Sequence, residues 1–169
     1  MSAVPKTLVV MGVAGCGKSL IGSMIAEQLG GVFEDADDFH PPSNKAKMSA
    51  GTPLTDDDRW PWYAILRARV EEMRGKTSHY VLACSALKQV YREKLTDGDG
   101  TDQLRFVYLK GSRELIGARI GARKGHFMPP SLLDSQFATL EEPGEEAITV
   151  SVAGMPDEIV GEVMGKLGE

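Results

Sequence analysis

The stretch Thr7-Leu-Val-Val-Met-Gly12-Val-Ala-Gly-Cys-Gly17-Lys18-Ser19 decides the fold of this chain. Its first five residues are a short apolar run suited to a buried strand. The last eight satisfy G-x-x-x-x-G-K-[ST], a phosphate-binding loop. Residues 18–29 follow with Ile21, Met24, Ile25 and Leu29 on one helical face, so the glycine loop lies between a strand and a helix. The glycines let backbone N–H groups close around phosphate oxygens, and the helix start adds a favourable field. In such a loop Lys18 offsets charge on the β- and γ-phosphates, and the Ser19 hydroxyl can ligate Mg²⁺.

Outward from this stretch, short apolar runs alternate with longer helical patterns. Strands are predicted at 32–35, 80–84, 106–109 and 147–152. A helix capped by Asp58, with Pro61 in its first turn, carries Trp62, Ile65, Leu66, Val70 and Met73 inward. Ser112 caps another helix, with Leu115, Ile116 and Ile120 inward, a new helix starts near Ser131, and 156–167 forms the last one. The alternation predicts an α/β fold: a five-stranded parallel sheet flanked by helices.

At 169 residues, all of 1–169 is expected to form a single P-loop domain. A hydrophobic share of 42% and a charged share of 25% are those of a soluble globular protein. The net charge of −5 argues against nucleic acid or an anionic membrane as the main partner. Cys16 and Cys84 show no metal-ligand spacing, and no signal-like or membrane-spanning apolar run occurs, so a cytoplasmic protein with reduced thiols is expected.

The remaining motifs narrow the class of phosphate chemistry. No N-K-x-D guanine-reading sequence is present, and the third strand ends Leu-Ala-Cys84 without a Walker-B aspartate. Acidic help for a metal therefore falls to Glu34-Asp35-Ala-Asp37-Asp38, at the end of the second strand, where an open parallel sheet faces its ligands. One of Asp35 and Asp37 can hold a metal-bound water while the other accepts the proton of an attacking hydroxyl; a solvated acidic loop is the alternative. Arg119 and Arg123 share a helical face, and glycines, cations and prolines follow through His126, suggesting a mobile lid over about 121–142 that carries positive charge to the γ-phosphate. An exposed helix end is the alternative there. His40 and His126, taken singly, read as structural or exposed, and Trp60 and Trp62 as core. The sum is a small kinase that uses ATP and Mg²⁺ on a hydroxyl of a polar metabolite.

Read in order, GVAGCGKS, DADDFHPPSNKAKMSAGTPLTDDDRWPW, CSALKQVYREKL, FVYLKG and HFMPPSLLDSQFATLEEP resemble the gluconokinases of the small P-loop type, related in fold to shikimate and adenylate kinases. The resemblance runs from Gly12 to Pro143. It implies ATP-dependent phosphorylation of D-gluconate to 6-phospho-D-gluconate. Gly12, Val13, Ala14, Gly15, Cys16, Gly17, Lys18, Ser19 and the adjoining Leu20 would contact the nucleotide, with Arg119 near the adenine and 152–156 as an adenine loop. By the same resemblance Asp37 is the base, Ser19 and Asp35 serve the metal, and Lys18 and Arg123 act in transfer. His40, Lys47, Arg59, Ser85, Lys88, Arg92 and His126, with Asp37, supply the group types that a linear polyol acid needs. Related enzymes make a homodimer the expectation. A kinase for shikimate, a nucleotide or another sugar acid, or a non-catalytic nucleotide-binding module, are the competing readings.

Overall fold

The computed structural model describes residues 4–122 and 130–168. Five strands form one parallel sheet: β1 (Thr7–Met11), β2 (Val32–Asp35), β3 (Tyr80–Ala83), β4 (Leu104–Lys110) and β5 (Ala147–Ser151). Their spatial order is β2-β3-β1-β4-β5, so β1 lies at the centre between β3 and β4. All five residues of β1 are buried, because both sheet faces are covered. Leu8 and Val10 point into one layer with Ile21 and Ile25 of α1 (Lys18–Leu29) and Ile159, Val160 and Val163 of the last helix. Val9 and Met11 point into the other, against Trp62, Tyr63, Leu66 and Val70. The strand's period of two thus feeds two cores at once.

The helices differ from the sequence reading in instructive ways. A 3₁₀ turn (Ala36–Phe39) and α2 (Pro42–Ser49) occupy the segment after β2, and α4 (Gln89–Thr96) follows β3; none was expected. The long helix α3 spans Asp56–Arg74, and its cap is Thr55 rather than Asp58. Thr55 and Asp58 form a reciprocal capping box, the hydroxyl taking the Asp58 N–H at 3.1 Å and the carboxylate taking the Thr55 N–H at 2.9 Å. Ile65 is 41% exposed instead of lining the inner face, while Trp62, Leu66, Val70 and Met73 are buried as expected. Ser112 does cap α5 (Arg113–Ala122), its hydroxyl accepting the Leu115 N–H at 3.1 Å. Beyond lie α6 (Pro130–Thr139) and α7 (Pro156–Leu167). Among the described residues no helix is long and apolar enough to cross a membrane.

Asp58 links this cap to acid stability. The Lys47 ammonium, 2.7 Å away, and then the Thr55 N–H hold its carboxyl at about 2, below the usual 3.8. A carboxyl depressed by folding contributes stability above its ordinary pKa and loses it as pH falls toward the folded value. Thr55→Ala should lower unfolding free energy by about 1 kcal/mol in urea titrations at neutral pH. Asp58→Asn should flatten the fall in stability between about pH 4 and pH 2; an unchanged acid limb would remove Asp58 from that account.

Candidate active site

The carboxyl ends of β1, β2 and β3 meet at one edge of the sheet. Register brings Asp35 opposite Ala83 and Val10 opposite Ala83 on the other side, and the Gly12 N–H donates to the Ser85 carbonyl at 3.3 Å. The phosphate loop therefore grows from the same edge as the acidic turn after β2 and the 84–88 loop after β3.

Within the loop, Gly12, Gly15 and Gly17 all adopt positive φ. Gly17 opens α1 at φ 98°, a left-handed value. Gly15 has φ +81°, and a Cβ there would meet Ile120 of α5 at 2.5 Å, so the loop rests against that helix. Lys18 folds back over the loop, its Nζ donating to the Gly12 and Val13 carbonyls at 3.1 Å each. The Ser19 hydroxyl donates to Asp35 Oδ2 at 2.7 Å. The other Asp35 oxygen accepts the Asp37 N–H at 3.0 Å and so caps the 3₁₀ turn. Among the described residues no three His, Cys, Asp or Glu side chains cluster as a metal site. A hydroxyl and a carboxylate side by side do suit Mg²⁺, which takes few protein ligands and completes its shell with phosphate oxygens and water.

Asp37 stands at the mouth of this arrangement, its side chain 81% exposed. The surrounding protein raises its pKa, Asp35 and Asp38 add to that, and Lys18 opposes them. Water on the open side screens these charges, which keeps the shift moderate. His40 is buried, stacked on Trp62 with ring centroids 3.9 Å apart. Burial first, then Arg59 and Lys45, lower its pKa, so the ring is neutral at pH 7. The Asn44 amide donates at 3.0 Å to the Asp58 carbonyl, which identifies it as the NH₂ group, and it lies 3.2 Å from His40 Nδ1. Nδ1 therefore accepts, and the proton sits on Nε2, 3.8 Å from Asp37 Oδ1.

Arg59 and Lys88 converge on Asp56, at 3.5 and 3.6 Å, and both lie over the Tyr91 ring. The Tyr91 hydroxyl donates to the same Asp56 carboxylate. Lys47 is engaged by Asp58, as described above.

Arg92 behaves differently from the substrate ligand expected of it. It is 3% exposed, and its guanidinium donates to the Ala86, Leu87 and Glu141 carbonyls at 2.8, 3.2 and 2.9 Å. Burial lowers its pKa against the pull of Glu146 and Glu141, yet a guanidinium remains charged at neutral pH. It braces the 84–88 loop, in which Ala86 adopts φ 45°, and ties that loop to the chain after α6. Arg119 is half-buried in the last turn of α5. Arg123 and His126 lie outside the described residues, as does 123–129 of the expected lid, whereas the rest of that stretch is the end of α5, the whole of α6 and the chain just after it.

Two participants were not expected at all. Asp56 gathers the cations of the cleft, and Gln136 of α6 reaches the phosphate loop, its Oε1 accepting the Ala14 N–H at 2.6 Å. The pattern Thr55-x-x-Asp58 marks a helix start, which would have placed Asp56 in a first turn beside Arg59. Nothing in the sequence marks Gln136, since a contact across 122 residues has no local signal.

Arg92→Met should lower unfolding free energy by roughly 3 kcal/mol, because it leaves buried carbonyls without their charged donor. Urea denaturation reads this directly; a loss below about 1 kcal/mol would mean that the brace is dispensable.

Comparison with known proteins agrees with this fold. The family model described as shikimate kinase matches residues 14–146. A probable gluconokinase of Xenopus tropicalis is 45% identical, the alignment covering 95% of this chain and 92% of that protein. The gluconokinase of Gluconobacter oxydans is 43% identical, with 97% and 92% covered. Among solved structures, a gluconokinase from Sinorhizobium meliloti superposes with a TM-score of 0.87 at 47% identity, covering 98% of this chain and 93% of that one.

Proposed function

The chain belongs to the gluconokinases, within the shikimate kinase family, and on that premise we propose how its residues carry out the family's reaction. The protein transfers the γ-phosphoryl group of ATP to the 6-hydroxyl of D-gluconate. The observation that carries the residue assignment is the Ser19–Asp35 pair, 2.7 Å apart beside Asp37, at the edge where the phosphate loop begins.

The amides of the loop and the start of α1 hold the phosphates. Lys18 offsets the charge on the β- and γ-oxygens. Ser19 and Asp35 would hold Mg²⁺, which would supply positive charge against the charge of the transferred group. Asp37 receives the proton of the 6-hydroxyl as that oxygen bonds to the γ-phosphorus, while the bond from phosphorus to the ADP oxygen breaks. His40, held by Asn44 and Trp62, presents Nε2–H toward Asp37 and limits where that carboxylate turns. Arg59 and Lys88 suit the carboxylate at the far end of gluconate. Without a ligand they meet on Asp56, so an incoming carboxylate finds two cations already gathered. Ser85, at the end of β3, offers a hydroxyl to the polyol. By the family resemblance Arg119 is assigned to the adenine and Arg123 to the phosphoryl group in transfer, and the protein is expected to work as a homodimer in the cytoplasm.

The competing acceptors are separable by one assay. ADP release should require Mg²⁺ and D-gluconate; turnover of shikimate or a nucleoside monophosphate with none of gluconate would overturn the reading. Asp37→Asn should lower kcat by about 10²–10⁴-fold while leaving ATP affinity close to wild type. An unchanged kcat with weakened ATP binding would move Asp37 to metal or nucleotide support.

A further inference from the structure

The loop residue Ala14 is held from outside the loop. Its N–H is bonded by Gln136 Oε1 at 2.6 Å. That nitrogen and the Val13 oxygen belong to one trans peptide unit, so they point to opposite sides of a rigid plane. On the oxygen side Lys18 Nζ donates at 3.1 Å, and it donates equally to the Gly12 carbonyl. One flat plate therefore carries Gln136 on one edge and the ammonium of Lys18 on the other.

The plate turns about ψ of Val13 and φ of Ala14, and a hydrogen bond on each edge holds it at one setting of those two angles. A bond accepted from the N–H also polarises the peptide and strengthens the carbonyl that receives Lys18.

The reach of Gln136 is built into the fold. Leu133, one turn earlier in α6, is 3% exposed and belongs to the core cluster that includes Ile116 and Ile120. Asp134 pairs with Arg113 of α5. After the helix, the Glu141 N–H donates to the Leu87 carbonyl at 2.8 Å, and Arg92 holds the Glu141 carbonyl. The carboxamide is thus delivered to the phosphate loop from a backbone fixed on both sides.

We propose that Gln136 is a positioning residue of the phosphoryl-transfer site, acting through the 13–14 peptide on the ammonium of Lys18. This rests on the role given above to Lys18. Gln136→Met keeps length and volume but replaces the amide oxygen by a weakly accepting thioether, whereas Gln136→Glu keeps an oxygen acceptor. The Met variant should move the Ala14 amide proton upfield in ¹H–¹⁵N spectra and lower kcat by about 10–100-fold, the scale of a displaced catalytic group. Its KM for gluconate should stay within about twofold, since the acceptor side is untouched. It should also weaken a non-hydrolysable ATP analogue more than ADP, a preference that a general loss of stability would not produce. The Glu variant should keep the Ala14 shift and stay well above the Met variant in kcat.

A Met variant with kcat within about twofold of wild type overturns the proposal. So does equal weakening of the ATP analogue and ADP. If the Met variant unfolds, the Glu variant decides: a retained Ala14 shift with kcat lost overturns the link, and both retained supports it. The amide shift and the analogue-to-ADP comparison need no acceptor, so they stand even if gluconate proves to be the wrong substrate.

Discussion

The complete burial of β1 constrains everything else in this protein. A strand covered on both faces has no freedom of register, because a slip of one residue would exchange its two buried side-chain sets. Leu8 and Val10 fill one layer while Val9 and Met11 fill the other. The parallel partners β3 and β4 are locked to it residue by residue, and β2 is locked to β3. The position of Asp35 relative to Gly12 is therefore set by core packing several residues away. A site that must bring a metal, a base and a phosphate cradle together needs that kind of rigidity, and loops alone would not provide it.

On this frame the charged groups of the cleft hold one another in reserve. Arg59 and Lys88 rest on Asp56, Lys47 on Asp58, and Lys18 on two carbonyls of its own loop. Apart from the Lys47–Asp58 pair, whose contribution shows on the acid side, each contact is partly exposed and so contributes little to stability. Their effect is to fix side-chain rotamers before a ligand arrives, which reduces the entropy lost when it binds. Arg92 is the contrast: a buried cation bonded to three carbonyls acts as framework, although its residue type is that of an anion ligand.

The sheet was legible in the sequence because buried parallel strands read as apolar runs, as at β1, β3 and β4, while the edge strand β2, Val-Phe-Glu-Asp, is half acidic and partly exposed. The phosphate loop and the acidic turn were legible because their chemistry is local: Lys18, Ser19, Asp35 and Asp37 lie within a few residues of a strand end. The short helices α2 and α4 were not. Each is eight residues long and mostly polar, and holds its place through tertiary contacts such as those of Asn44 and Leu95. Arg92 and Gln136 were illegible for a related reason. Their partners are main-chain atoms 5–6 or 49 residues away in one case and 122 in the other, and a backbone carbonyl or amide leaves no trace in residue identity.

Asp35 has one oxygen on the Ser19 hydroxyl and the other on the Asp37 amide. A single carboxylate therefore stands in two circuits, the proposed ion site and the turn that carries the proposed base. Inheritance at this position is consequently coupled. A change at Asp35 disturbs both circuits in the same step, so its effect combines non-additively with changes at Ser19 or Asp37.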